Sequence, residues 1–361
     1  MFKTETKTPQ QVLATQADRQ VATARFHPNG ELLVTGGYDG SLRRWRIEKE
    51  ALTETEPIAG HNGWIERIVF HPDSATDILV SSDSWGRLMV CHPSAENSES
   101  GQRLWKHDTA HDGRIHSLTL SADGEQIITA GQDRYVRVWE TKTGKRIHDL
   151  NDHDSEVMAA AMHPHGKSVV AGDVLGVVKE WDLQSRKCVR DLDLSRMHFY
   201  DRDQDVAGLK HLRFLDDGAT LVAAGMDPKR TGNVNGIPSL HFLDWKTGAI
   251  RESLVVGDNA TGFVFDFERL DDGSFLIVTS GTPGNGRVLW RHPDEDEFRF
   301  EFKKLSNCHA LAMHPDRHRF FVSATNRNSQ GNGAVRDKET GAYLGNTSPL
   351  HLFELPEEQV Q

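Results

Sequence analysis

The chain is poor in several things, and each shortage removes a class of answer. Its 361 residues hold three cysteines, Cys91, Cys188 and Cys308, odd in number and far apart. That argues against a disulfide framework, supplies no CxxC metal knuckle, and suits isolated thiols in a reducing, cytoplasmic setting. No apolar run approaches the roughly 18 residues of a membrane helix, so no membrane association is expected. The opening MFKTETKTPQQ lacks the apolar stretch of a secretory leader. Net positive charge is missing too. The formal charge is −11, which disfavours nucleic acid as a partner. No HExxH, GxSxG, Walker-type or EF-hand motif occurs. No window carries the 3.6-residue apolar stripe of an amphipathic helix.

What the chain does have is repetition. Residues 111–139 read HDGRIHSLTLSADGEQIITAGQDRYVRVW, and weaker copies recur about six more times. They begin at residues 21, 65, 157, 209, 263 and 309. Each copy has one plan. A short alternating strand leads to an HP or DDG turn, and a second strand of near-continuous apolar residues follows (ELLVTGG, EQIITAG). A Gly/Asp turn leads to a third strand (LRRWRI, VRVWE), and a Thr-Gly turn to a more polar fourth. Period-2 alternation with turns every 8–12 residues argues for antiparallel strands. A period of roughly 40–50 residues argues for a closed array of small sheets.

This pattern resembles the WD-repeat β-propeller family over nearly the whole chain. Trp45, Trp139, Trp181 and Trp290 stand at the family's tryptophan position, with Cys91, Leu243 and Phe353 in its place elsewhere. The second half, through SLHFLDW at 239–245, is also similar to bacterial WD-repeat proteins of unassigned activity. The resemblance implies an all-β, single seven-bladed β-propeller of four-stranded antiparallel blades. The blades fall at about 19–57, 62–108, 112–150, 154–194, 206–256, 261–303 and 307–355. The last copy runs out after Leu355, so the N-terminal strand 9–16 is expected to complete blade seven and remove the open edge.

In the family, a histidine, a Ser/Thr, an aspartate and the tryptophan of one blade form a buried hydrogen-bonded chain. His111, Thr129, Asp133 and Trp139 match all four positions. The set mimics a hydroxyl–His–acid triad, but its spacing is that of a blade fastener, and a structural role is expected. Blade one keeps Thr35, Asp39 and Trp45, with Ala17 at the histidine position. Blade two keeps His61 and Ser81, with Trp85 at the aspartate position; blade four keeps His153 and Trp181, with Ala171 and Leu175 in the polar slots. The histidines of the HP turns, His27, His71, His163 and His314, belong to different blades and are expected to serve turns, not a metal.

Function is expected on the top face, where the second-to-third and fourth-to-first loops emerge. The longest additions gather there: 226–238, 281–286, 326–349 and the approach 195–205. Lys229, Arg230, Arg327, Arg336 and Lys338 would make a locally basic wall, suited to an acidic peptide. By register, the mouth of the channel should carry Trp64, Glu66, Arg114, His116, Glu156, Lys210, Phe263 and His309, with Tyr38 and Gln132 beside the turn aspartates. These residues are the candidate binding set. The expected function is a non-catalytic, monomeric scaffold for a protein or peptide, without cofactor or metal. The alternatives are a small-ligand sensor, or a metal-dependent propeller hydrolase or lyase using Glu66, His116, Glu156 and His309.

Overall fold

The computed structural model describes residues 8–48, 51–95, 103–201, 203–215, 218–230, 234–259, 261–281, 286–326, 339, 341 and 346–356. Seven four-stranded antiparallel sheets follow one another along the chain. In six of them the strands pair in chain order. In the seventh, Cys308–Met313, Arg319–Ala324 and Ser348–Glu354 are joined by Gln10–Ala17 from the other end of the chain. Gln10 faces Glu354 and Ala17 faces Ser348. The ring is therefore closed by its N-terminal strand. No helix of the described residues is long and apolar enough to cross a membrane.

The second strand of every blade reads as continuous apolar sequence because both its faces are covered. Neighbouring residues on it point into different cores. Leu33 packs between blades seven and one, and Val34 between one and two. Ile127 faces blade two and Ile128 faces blade four. Leu276 faces blade seven and Ile277 faces blade five. The buried apolar residues thus form seven clusters, each straddling two adjacent blades. No single centre holds the protein together; each boundary does, at roughly 1.5–3 kcal/mol per fully buried large side chain.

The HP turns tighten these boundaries. His314 Nδ1 accepts the Asp316 N–H at 3.1 Å, so Nε2 carries the proton and donates to the Gly30 carbonyl of blade one at 2.8 Å. His163 repeats the geometry, accepting from His165 N at 3.2 Å and donating to the Gly218 carbonyl of blade five at 3.1 Å. Gly30 and Gly218 have φ of +81° and +68°, and a Cβ on either would lie under 3.0 Å from the histidine ring. The histidine of one blade's turn and the glycine of the next blade's turn are thus two halves of one contact.

Two of the additions differ from expectation. Residues 226–230 and 234–238 do not form a loose loop. They extend blade five into a hairpin of Thr220–Arg230 and Val234–Asp244, paired along its length. The approach segment also folds, as the small hairpin His198–Asp201 with Gln204–Ala207. The two are tied by Arg196 on Asp227 at 2.7 Å, while buried His241 holds the same carboxylate at 2.7 Å. The additions at 282–285 and 327–338 lie outside the described residues, and with them Arg327, Arg336 and Lys338. For Arg230 only the backbone pairing with Val234 is described.

Candidate functional site: the channel mouth

The first strands line the centre of the ring, each touching the first strands of both neighbouring blades. All seven carry a register shift at their start. Such a bulge leaves one residue out of the ladder and re-aims its side chain. The residues left out are Ala22, Glu66, His116, Met158, Lys210, Phe265 and His309, one per blade and all half-buried. The mouth is therefore a ring of seven bulges.

Most of the sequence-predicted mouth residues meet there. Tyr38 packs edge-on against Trp64, with ring centroids 5.1 Å apart. Arg114 lies over the same indole at 5.4 Å and pairs with Glu66 at 3.2 Å. Gln132 Oε1 accepts the Arg114 N–H at 3.3 Å, and its amide nitrogen donates to Glu156 at 3.4 Å. Glu156 also holds His116 at 3.2 Å. On the other side Lys210 sits 3.9 Å over the Phe265 ring, and Phe265 packs edge-on to His309 at 5.1 Å. His309 reaches Gln20 at 3.1 Å and stands 6.4 Å from Tyr38, which brings the circuit back to blade one. Phe263 is half-buried, opposite Ser280, and Lys229 is exposed on the hairpin opposite Asn235. Neither joins the circuit.

Burial sets the charge states. The His116 and His309 imidazoles are pushed down to about 4 by desolvation, so both are neutral at pH 7. Desolvation, then the Arg67 charge, brings the Lys210 amine down to about 8. Burial, then Glu66, raises the Tyr38 phenol. One layer deeper, Asp266 takes Arg25 at 3.0 Å and Arg213 at 2.7 Å. Burial works to raise this carboxyl; the two guanidiniums overcome it and hold it well below the carboxylate range. No three His, Cys, Asp or Glu residues gather as a metal site among the described residues.

Two features of the top face were missed in the sequence. Trp85 is 66% exposed, and Trp64 is 46% exposed beside it. The two adjoin because Ser84 pairs with Trp64 through two hydrogen bonds. Next to them a depression of about 510 Å³ is lined by Arg19, Gln20, Tyr38, Asp39, Trp64 and Asn346. The signal was present: a tryptophan in a turn that elsewhere holds aspartate has no core to enter. The second omission is the deeper layer of Arg25, Arg67, Arg213 and Asp266.

The fastening networks run beneath this face. In blade three Trp139 Nε1 donates to Thr129 Oγ1 at 2.9 Å, Thr129 to His111 Nε2 at 2.7 Å, and His111 Nδ1 to Asp133 at 2.8 Å. Arg137 adds a pair to Asp133 at 2.6 Å. Blades two and four correct the sequence reading. The carboxylate is not lost at Trp85 and Leu175; it sits two residues earlier. His61 Nδ1 meets Asp83 at 3.0 Å, and His153 Nδ1 meets Asp173 at 2.9 Å. Asp83 also caps the Trp85 and Arg87 N–H groups, both at 2.9 Å, so one displaced carboxylate serves both network and turn. In blade six Val278 fills the hydroxyl slot, and Trp290 Nε1 turns to Ser274 at 2.7 Å.

Comparison with known proteins agrees with this geometry. The family model "WD domain, G-beta repeat" matches residues 7–46, 102–140 and 144–182. The first match includes the closing strand. Over these three stretches the chain is similar to the WD repeat, and the stretches lie in the closing strand and blades one to four. Among curated WD-repeat relatives, it is 28% identical to transducin beta-like protein 3 of Bos taurus over 189 residues, covering 47% of this chain and 21% of that protein. It is 31% identical to pre-mRNA-processing factor 19 of Caenorhabditis elegans over 160 residues, covering 44% and 30%. It is 26% identical to nuclear distribution protein PAC1 of Arthroderma otae over 199 residues, covering 48% and 42%. The chain thus spans less than half the length of each of these relatives.

Proposed function

We propose that this propeller is a non-catalytic interaction platform whose top face docks a protein or peptide. One observation carries the reading. Trp64 and Trp85 present large apolar surface to solvent beside Tyr38 and the depression it lines. Large exposed aromatics in one patch mark interaction sites, and Trp and Tyr dominate binding hot spots. The patch lies on blades one and two, so the anchor sits opposite the blade-five hairpin. That hairpin, with exposed Lys229, forms a wall on the far side of the mouth. The relatives carry names from pre-mRNA processing and nuclear distribution. A shared ring across such names supports docking as the common task and leaves the partner to the site.

The test is to pan a displayed random-peptide library against the immobilised full-length protein and against Trp64→Ala/Trp85→Ala. Enriched peptides are expected to lose about tenfold or more in affinity for the double variant. Its melting temperature should stay within a few degrees of the parent, since both side chains are exposed. Peptides that bind both forms equally would overturn the assignment of the docking face.

A further inference from the structure

The charges around the channel do not pair off. Five cations reach it from the blades: Arg25, Arg67, Arg114, Lys210 and Arg213. Asp266 is shared by Arg25 and Arg213, Glu268 is on Arg213 at 3.3 Å, and Glu66 is on Arg114. Glu156 is engaged with neutral His116 and with Gln132. Among the described residues Arg67 and Lys210 have no carboxylate at ion-pair distance. Arg67 donates to the Glu66 backbone carbonyl at 2.8 Å, and Lys210 has the Phe265 ring. Both are half-buried, and desolvation lowers the pKa of each. A half-buried charge without a counter-charge gives up part of its hydration with nothing in return.

A third group points the same way. Asn346 Nδ2 donates to Gln20 Oε1 at 3.1 Å, and the orientation of the Gln20 amide is assigned from this network. Gln20 Nε2 must then donate to His309 Nε2 at 3.1 Å, so the His309 proton sits on Nδ1. That N–H is buried and has no hydrogen-bond partner. His309 lies near enough to Lys210 to feel its charge. Lys210 and His309 are both bulge residues, flanking Phe265 on the same rim.

We propose that Lys210, backed by Arg67 and joined by the Nδ1–H of His309, is the seat for one oxyanion group, carboxylate or phosphate-like, entering from the top mouth. This rests on the top face being the docking face, and it names the chemistry of the group that enters. The anion supplies the missing counter-charge, Lys210 gives it a charge-assisted bond, and His309 gives it a neutral one. The two sources of such a group are a free inorganic anion and the acidic side chain of a docked peptide.

Sulfate is the probe, because its charge is constant across the pH range used. Titration into the full chain, followed by calorimetry and by melting temperature against sodium chloride of equal ionic strength, is expected to show saturable binding. Lys210→Met should weaken it about tenfold or more, and Lys210→Arg should keep it. Facing Lys210 are Glu66 and Arg67 from blade two, Arg114 from blade three, Asp266 from blade six and His309 from blade seven. The Lys210 amine, at about 8, changes charge between pH 6 and 9, while the His309 ring, at about 4, stays neutral. Affinity should therefore hold up to pH 8 and fall about tenfold per unit above it. Trp64→Ala/Trp85→Ala should bind sulfate as the parent does, which separates failure of this seat from failure of the docking patch. If sulfate displaces library-derived acidic peptides, the anion is peptide-borne; if it binds without displacing them, it is free. Equal sulfate affinity in the parent and Lys210→Met would overturn the proposal.

Discussion

At the scale of single residues, the fastening networks show how strictly a buried polar group must be satisfied. Blade three does it in full, with a run of donors from Trp139 through Thr129 and His111 to Asp133. Blade four does it in part. Ala171 stands where Thr129 has its hydroxyl, and His153 Nε2 is left buried without a partner. Supplying that partner is a direct test. Ala171→Ser is expected to raise stability by about 0.5–1.5 kcal/mol in chemical denaturation. A lower midpoint would mean that the added oxygen collides with its neighbours instead of reaching the ring. The same rule explains the moved carboxylates. A residue at the Gly131 position points straight at the histidine, since a Cβ there would lie 2.8 Å from His111 Nδ1. Asp83 and Asp173 exploit that approach, and the freed turn position in blade two could become Trp85.

At the scale of elements, the closing strand carries the most weight for its size. Gln10–Ala17 covers the edge of Ser348–Glu354 and places buried Ala17 and half-buried Leu13 in the cluster between blades seven and one. Without it an edge strand opens and the ring has a seam. Removing residues 1–17 is expected to cost about 3–5 kcal/mol and to promote association. Adding a synthetic peptide of residues 8–18 should restore the melting temperature. An unchanged melt after truncation would show that closure lies elsewhere. The segment between Asn326 and Thr347 is a contrasting case. Its ends meet directly, Asn326 N on Thr347 O at 3.1 Å and Asn326 Nδ2 on Thr347 Oγ1 at 2.7 Å. The ladder of blade seven is pinned at its base, and excising 328–345 should leave the ring folded.

At the scale of the whole molecule, the paired acids and histidines make folding depend on pH in one direction. Burial opposes ionisation of Asp83, but the His61 hydrogen bond and the Arg87 and Trp85 N–H groups hold it down at about 2. Asp133 and Asp266 lie low as well, through their own partners. A carboxyl depressed on folding contributes stability that is complete above its unfolded value near 4 and is lost as pH falls through the folded value. His61 and His111 are lowered by desolvation, so the unfolded chain takes up their protons first. Their effect begins as pH drops below about 6.5. The two contributions add. Stability measured by denaturant should be flat from pH 7 to 8, decline below 6.5, and fall steeply from 4 to 2. Asp83→Asn should flatten the lowest part of that curve, and a curve of unchanged shape would show that Asp83 is not a main contributor.

The sequence by itself determined the ring, because its signals are local and repeated. Apolar pairs such as Leu33-Val34 and Ile127-Ile128 demand cover on both faces, and seven copies of that demand are met by seven blades packed side by side. The leftover strand at 9–16 then had one edge to fill. Even the bulges leave a trace, since VATA, IERI, IHSL, LKHL and CHAL place two residues between inward positions where strict alternation allows one. What only the tertiary structure decided is which side chains from different blades meet. The partnering of Glu66 with Arg114, the sharing of Asp266 by Arg25 and Arg213, and the isolation of Lys210 join residues tens to hundreds of positions apart. The Asp227 contacts that turned an apparent loop into a paired hairpin were likewise invisible along the chain. Period and composition report how each residue faces its own strand; the balance of charge in a shared channel depends on distances that exist only after the ring has closed.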